Sequence, residues 1–205
     1  MPLYKEWNPD GNSLAAIWQI TETEDFFADK INISTAHIAH SKRRIEFLAG
    51  RFLLQYLQKD FPIHSILPDE NDKPQLPDRQ SHFSISHSFP YVACIISTQS
   101  PVGIDIQCWH QSILSLQHKF LSPQEQLISN NDPQKITLAW SSKEAAYKYQ
   151  GLRGVDFMQH LPIVQWQEKA INFDIKIKLN LNGSNEALGI NGFIFNDFAL
   201  AVALK

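Results

Sequence analysis

Apolar residues recur with helical spacing along one long segment of the first half of the chain. Leu48, Phe52 and Tyr56 follow Ile45 at offsets of three, seven and eleven residues, which is the periodicity of an amphipathic helix. The pattern predicts a helix over residues 35–59. Capping signals and spacing predict further helices at residues 22–31, 122–130 and 133–150.

Shorter apolar or alternating runs between turn residues are typical of strands. They predict strands at residues 14–20, 82–87, 91–97, 102–107, 163–167, 171–181, 192–195 and 198–204. The proline-rich run 62–80 predicts an ordered loop. Strand, long helix and paired strands thus occur twice, which indicates an α+β protein with two similar halves, residues 1–98 and 99–205.

Composition is ordinary for a compact globular fold, with 43% hydrophobic and 19% charged residues in 205. The formal net charge of −3 argues against broad adhesion to nucleic acid or anionic lipid, and no nucleic-acid-binding motif is present. Phosphate recognition, if it occurs, must therefore be local.

The sequence contains neither a long apolar run nor a basic-then-apolar start, so it predicts no membrane span and no secretory signal. We therefore expect a cytoplasmic protein. Cys94 and Cys108 are the only cysteines, too few for a disulfide framework, and both are predicted to be buried thiols.

Two carboxylates on separate elements are the main candidates for chemistry. Asp105 lies in the strand 102–107, where Gly103, Asp105 and Gln107 share a face. A lone aspartate at a strand end more often makes a local turn hydrogen bond. Glu144 on the following long helix favours the alternative, because two carboxylates plus substrate phosphates form a common magnesium site.

Lys143, Glu144 and Lys148 also allow an alternative, namely an exposed helix face with a Glu–Lys pair at four-residue spacing. Trp140 shares a face with Glu144 and Lys148. An indole is seldom placed on a purely solvated face, so the face is expected to pack or to bind a ligand.

Several other polar residues could contact phosphate. Ser86 and His87 end an alternating strand, although a structural histidine is the commoner case. Arg44 and Arg51, with Arg43, lie on the helix 35–59 and could equally form a solvated face. Gly50 inside that helix suggests close packing or ligand approach.

Three ordered motifs together resemble a known family. The segments FSISHS (83–88), VGIDI (102–106) and WSSKEAAYK (140–148) are similar to motifs of the 4'-phosphopantetheinyl transferases of the surfactin-synthetase-activating type. KRRIEFLAGR (42–51) and DKPQL (72–76) resemble upstream motifs of that family. The resemblance covers roughly residues 14–165, and the tail after Ile163 matches only in general character.

The resemblance implies a monomeric pseudo-dimer of two α/β halves with the active site at their interface. It implies transfer of the phosphopantetheine arm of coenzyme A to a serine of an apo acyl or peptidyl carrier protein, with release of adenosine 3',5'-bisphosphate and a requirement for Mg²⁺. The first half would contact the nucleotide, and the second would hold the metal and the catalytic residues.

The resemblance also assigns roles to individual residues. Asp105 and Glu144 would hold magnesium on the pyrophosphate, with Gln107 as a third candidate ligand, and Glu144 is a candidate base for the carrier serine. Lys148 would stabilise or protonate the leaving phosphate. The remaining candidates for coenzyme A binding are Arg44, Arg51, Lys73, Pro74, Ser86, His87 and Lys143.

Gln107 departs from the family pattern, which often has an acid there. A neutral amide supplies no charge, so we expect weaker magnesium binding than at a three-carboxylate site. The missing acid leaves open a catalytically idle module that binds coenzyme A or docks carrier proteins.

An apolar face with a cationic rim is a candidate docking surface for the carrier. Ile113, Leu116 and Phe120, with Lys119 nearby, could contact an acidic carrier protein. Packing into the core is the alternative for these three side chains.

Overall fold

A computed structural model describes residues 2–77, 81–181, 183 and 186–205. Packing divides the chain into two units, Met1–Ser100 and Pro101–Lys205, whereas the sequence placed its boundary between residues 98 and 99. Each unit has an antiparallel sheet with helices packed on it, which confirms the predicted α+β class. No helix of the described residues is both long and apolar enough to cross a membrane.

The first unit has a sheet with the strand order β1-β2-β6-β5 and a separate short pair, β3-β4. Its elements are β1 (Leu3–Trp7), β2 (Ser13–Gln19), α1 (Glu24–Ile31), α2 (Ser41–Leu57), β3 (Leu67–Pro68), β4 (Pro74–Gln75), β5 (His82–Ser88) and β6 (Tyr91–Ser97). Within the run 62–80, the described residues 62–77 contain β3, β4 and a 3₁₀ turn at Ile63–Ser65. Residues 78–80 of the predicted loop lie outside the described part.

Helix α2 packs closely on the sheet of the first unit. Leu48, Ala49 and Leu53 are fully buried, and a Cβ added at Gly50 would lie 2.9 Å from Cγ2 of Ile85. Gly50 is therefore explained by close helix–sheet packing. The Cys94 thiol donates to the Gly50 carbonyl at 3.3 Å and is buried, as predicted.

Helix α2 begins later than the prediction of residue 35, at Ser41. The preceding residues form a turn, in which Ile38 N–H donates to the Thr35 carbonyl. The Arg44 guanidinium donates to the carbonyls of Ile38 and Ala39 at 3.3 and 3.0 Å. Because these carbonyls accept from a side chain, residues 38 and 39 are held against the start of α2 in a non-helical conformation.

The second unit has a five-stranded sheet with the order β7-β11-β10-β9-β8. Its elements are β7 (Gly103–Cys108), α3 (Ile113–Leu116), α4 (Pro123–Ser129), α5 (Pro133–Gln150), β8 (Ile163–Glu168), β9 (Phe173–Leu179), β10 (Glu186–Ile194) and β11 (Phe198–Leu204). Strand β10 starts earlier than the predicted residue 192, since Glu186 already pairs with Leu179. Cys108 is half-buried, so its predicted burial is wrong: the last two residues of β7 are more accessible than the rest of the strand.

The two units repeat one connection. In the first, β2 leads through α2 to the β5–β6 hairpin, and β6 pairs with β2. In the second, β7 leads through α5 to β10 and β11, and β11 pairs with β7. The duplicated element order predicted from the sequence therefore corresponds to a repeated strand arrangement.

Local signals fix the helices of the second unit. Ser122 accepts from Glu125 N–H while the Glu125 carboxylate accepts from Ser122 N–H, which completes the predicted capping box of α4. Helix α5 is capped by Asp132 and ends where Gly151 adopts φ 75°. Its bounds are those predicted from the sequence.

Candidate functional site

The strand carboxylate and the helix residues meet where α5 lies on β7. A Cβ at Gly103 would overlap the backbone carbonyl of Ala145, so the glycine permits close contact between strand and helix. Two positions later, Asp105 is 6% exposed. Lys148 Nζ lies 2.8 Å from Asp105 Oδ1 and donates to the Ile104 carbonyl at 3.2 Å. The contact thus joins two of the candidate catalytic residues.

Glu144 lies one turn before Lys148 in the same environment. Burial, followed by the charge of Asp105, raises the pKa of Glu144 to about 7, while Lys148 opposes this increase. Asp105 therefore acts electrostatically on Glu144 within the second unit. Among the described groups that act on Glu144, Lys148 supplies the positive charge that lowers its pKa.

This donor set fits a hard divalent cation. Carboxylate oxygens are preferred ligands of Mg²⁺, and a cation would oppose the burial and the repulsion that raise the pKa of Glu144. Gln107 adds no charge, and its amide donates to the Cys108 carbonyl at 3.2 Å. In the described part of the chain, no group of three or more histidine, cysteine or acidic side chains is arranged for a metal.

Lys143 points away from this site into the protein core. Its side chain is 0% exposed and lies 2.7 Å from Glu125 Oε1, and its Nζ donates to the Phe157 carbonyl at 2.9 Å. Burial lowers the pKa of Lys143, whereas Glu125 opposes the shift. The Glu125 carboxylate also accepts from the backbone N–H of Ile163. The lysine therefore joins the start of α4, α5 and β8.

A cavity of about 730 Å³ lies within the first unit, and we call it the first-unit cavity. Its charged or titratable lining residues are His37, His40, Arg43, Glu46, Arg51 and His87. Pro74 also lines it. The site thus brings together three of the residues expected to bind coenzyme A, namely Arg51, Pro74 and His87.

Arg51 is held in this cavity by an aromatic neighbour. Its guanidinium lies 3.3 Å from the Phe47 ring centroid and donates to the Phe47 carbonyl at 3.4 Å. Burial lowers the pKa of Arg51 to about 10, so the side chain remains a cation at neutral pH. The arrangement presents a desolvated positive charge to an anion.

The other residues expected to bind coenzyme A are placed differently. Arg44 Nε lies 2.8 Å from Glu24 Oε1, and Arg44 is not among the residues that line the first-unit cavity. Ser86 is buried and adjacent to His87 on β5, so the two side chains point to opposite faces of the strand. Lys73 lies beside Pro74, and burial lowers its pKa.

A cavity of about 610 Å³ in the second unit, the second-unit cavity, contains the residues expected to dock the carrier. Ile113, Leu116 and Phe120 line it together with Gln107 and Trp140. Leu116 is 41% exposed, whereas Phe120 is 4% exposed and packs on Trp140 at 4.9 Å between ring centroids. Of these three apolar residues, Leu116 presents the most surface.

Sequence reasoning did not single out Glu46, and it recognised Glu125 only as part of a helix cap. Arg43, Glu46, Gly50 and Arg51 recur at offsets of three, seven and eight residues on α2. This spacing places them on one helix face and was the available signal for Glu46. The capping box had identified Glu125, although without its buried lysine partner.

Comparison with known sequences defines the family. A sequence model described as the 4'-phosphopantetheinyl transferase superfamily matches residues 101–203, and one described as the 4'-phosphopantetheinyl transferase N-terminal domain matches residues 34–97. The chain therefore belongs to the 4'-phosphopantetheinyl transferase superfamily, as its motifs predicted. The match continues through the tail after Ile163, which the motifs had related to the family only in general character.

One relative is the 4'-phosphopantetheinyl transferase Sfp of Bacillus subtilis (strain 168). The chain is 36% identical to it over 88 residues, which are 40% of this chain and 39% of the relative. The aligned part thus spans well under half of the relative's length.

Proposed function

We propose that the protein transfers the 4'-phosphopantetheine group of coenzyme A to a serine of an apo acyl or peptidyl carrier protein. The pairing of Asp105 with Lys148, beside a Glu144 carboxyl whose pKa is about 7, is the observation that carries this proposal. These residues lie in the part of the chain that the superfamily model matches. The transfer would release adenosine 3',5'-bisphosphate.

Asp105 and Glu144 would hold Mg²⁺ on the pyrophosphate of coenzyme A. Gln107 lies two positions after Asp105 on β7, so its side chain shares that face of the strand and would contribute a neutral ligand. The bound ion would supply positive charge to phosphate oxygens that become more negative during transfer. The burial of Glu144 beside a second carboxylate, Asp105, supports this assignment.

The chain's own residues would move the proton and balance the charge. The serine oxygen would bond to the pyrophosphate phosphorus that carries pantetheine, and the bond to the bridging oxygen would break. Glu144 would accept the serine proton, since its carboxylate lies on the same helix face as Lys148, beside the Asp105–Lys148 pair. Lys148 would stabilise the departing phosphate.

The nucleotide phosphates would bind in the first-unit cavity through Arg43, Arg51 and His87. Two arginines and a histidine suit a phosphate monoester, and the partial desolvation of Arg51 strengthens its attraction for an anion. Lys73 and Pro74 would lie beside the adenine. Arg44 is a weaker candidate, since Glu24 neutralises it.

Leu116, with Lys119 at the edge of the second-unit cavity, would form the docking surface for an acidic carrier protein. Both family domains occur in one chain, so we expect it to act as a monomer.

Mass spectrometry tests the proposed reaction directly. Purified protein, coenzyme A and Mg²⁺ are incubated with a panel of apo carrier proteins, and each carrier is weighed. A transferase adds the mass of one phosphopantetheine to at least one carrier, and the Glu144→Gln variant does not. Binding of coenzyme A without modification of any carrier would identify the idle module instead.

A further inference from the structure

Glu46 is an acid in a cavity otherwise suited to anions. It is 6% exposed and is the only acidic side chain among the described residues that line the first-unit cavity. A buried carboxylate costs free energy unless it is paired, and it repels a neighbouring phosphate. Its position at an anion site therefore requires a physical explanation.

His87 provides that explanation. Its Nδ1 lies 3.3 Å from Glu46 Oε2, and its side chain is 48% exposed, against 7% for Glu46. The two nitrogens lie on different edges of an imidazole ring. When Nδ1–H of His87 donates to Glu46, Nε2 therefore points away from this carboxylate. Only the charged imidazolium carries a proton on both nitrogens and can donate to both a carboxylate and a phosphate.

The other charged groups around the cavity favour a neutral His87. Arg43 and Arg51 come from α2, and His37 and His40 come from the segment before it. Lys73 lies next to the lining residue Pro74 on β4, while β6 places the uncharged Val92 opposite His87. Among the described lining residues, Glu46 alone has the charge that favours an imidazolium.

We propose that Glu46 is a positioning residue that keeps His87 charged, so that the imidazolium donates to a phosphate monoester bound in the first-unit cavity. This inference rests on the nucleotide site proposed above and adds a role for an acid that does not itself contact the ligand. It explains a buried carboxylate in an anion site.

A double-mutant cycle on nucleotide binding tests the inference. Glu46→Gln keeps the shape and a hydrogen-bond acceptor for Nδ1–H but removes the charge. His87→Gln removes the imidazole. The affinity for adenosine 3',5'-bisphosphate is measured by calorimetry without Mg²⁺, for the two single variants, the double variant and the wild type. Glu168→Gln, which removes a carboxylate paired with Lys135 in the second unit, is the matched control.

The expected sign of the Glu46→Gln effect depends on His87. With His87 present, the variant should bind the nucleotide about tenfold more weakly at about pH 8, and the loss should shrink as the pH falls below about 6, where the imidazole can be protonated without Glu46. In the His87→Gln background, the same change should leave binding equal or stronger, because it removes a repelling carboxylate. The ligand's own ionisation is common to all variants.

A merely structural role for Glu46 predicts an equal loss of affinity in both backgrounds, without relief at low pH, and that result would overturn the inference. Tighter binding by the single Glu46→Gln variant would also overturn it. Both outcomes leave the proposed function intact if the wild type binds the nucleotide. Failure of the folded wild type to bind it would remove the nucleotide site as well. Thermal unfolding of each variant confirms that it is folded.

Discussion

The ammonium of Lys148 lies 2.8 Å from Oδ1 of Asp105. This contact connects the last turn of α5 to the middle of β7, and Glu144 lies one helical turn earlier. The ion pair thus combines a proposed metal ligand with the cation expected at the leaving phosphate. Because Lys148 also lowers the pKa of Glu144, these three groups are electrostatically coupled.

Lys148→Met should abolish most activity while leaving coenzyme A binding largely intact. The change removes the positive charge expected beside the leaving phosphate, so we expect kcat to fall by about a hundredfold or more. Steady-state kinetics with an apo carrier gives kcat and the KM for coenzyme A separately.

Lys135→Met is the matched control for this variant. Lys135 lies on the same helix but pairs with Glu168 away from the candidate site, so its loss should change kcat less than twofold or so. Equal losses from the two variants would contradict the role of Lys148.

Glu144→Gln should stabilise the metal-free protein at pH 8 and not at pH 4.5. The folded-state pKa of Glu144 is raised from 4.5 to about 7, so the native state binds the proton more tightly than the unfolded state. Stability is therefore lost as pH rises from 4.5 to about 7, and the glutamine avoids this loss, by about 1–3 kcal/mol. Urea unfolding in a chelating buffer at both pH values measures the difference in unfolding free energy between the variant and the wild type.

Magnesium should make the wild type more stable than Glu144→Gln at pH 8, the reverse of the order expected without metal. The ion binds the folded wild type and raises its unfolding midpoint, whereas Glu144→Gln and Asp105→Asn should show little increase. A comparable increase in all three proteins would place magnesium elsewhere.

Lys143→Met should destabilise the fold by about 3–5 kcal/mol, because it leaves the Glu125 carboxylate buried without its cation. Adding Glu125→Gln should recover part of the lost stability.

The exposed pair Lys169–Asp174 provides the control, and Lys169→Met should cost less than about 1 kcal/mol. A Lys143→Met protein of unchanged stability but with a raised KM for coenzyme A would show that the lysine binds the substrate.

Gly103→Ala should be strongly destabilising. The added Cβ would overlap the Ala145 carbonyl, and helix backbone cannot yield as a flexible side chain can, so we expect a loss of more than about 2 kcal/mol. Gly189→Ala, in an exposed part of β10 where the nearest atom is 3.7 Å away, should change stability by less than about 1 kcal/mol. Equal unfolding free energies for the two variants would exclude close packing as the role of Gly103.

Leu116→Glu should raise the KM for the carrier protein and leave the KM for coenzyme A unchanged, because it puts a negative charge on the proposed docking surface of an acidic partner. Leu127→Glu on α4 is the control, since Leu127 is 79% exposed and is not among the residues lining the second-unit cavity. Normal carrier kinetics in the Leu116→Glu variant would disprove docking at this position.

Local sequence determined the regular elements where the signals were themselves local. Asp132, Pro133 and Gly151 delimit α5, since a cap, a first-turn proline and a left-handed glycine act within a few residues. The start of α2 was predicted too early because Arg44 takes two carbonyls of the preceding segment. The direction of the Arg44 side chain depends on tertiary contacts, so the helix pattern did not reveal this interaction.

Ordered motifs and periodicity are properties of the chain, so the residues alone predicted the family, the α+β class and the candidate carboxylates Asp105 and Glu144. Which partner each cation on a helix meets depends on tertiary packing. Lys143 turns to Glu125 while Lys148 reaches Asp105, and Arg44 turns to Glu24 while Arg43 lines a cavity. Successive helix residues point about 100° apart, so Arg43 and Arg44, and likewise Lys143 and Lys148 five positions apart, lie on different faces of their helices. The packing of distant segments determines what each side chain meets.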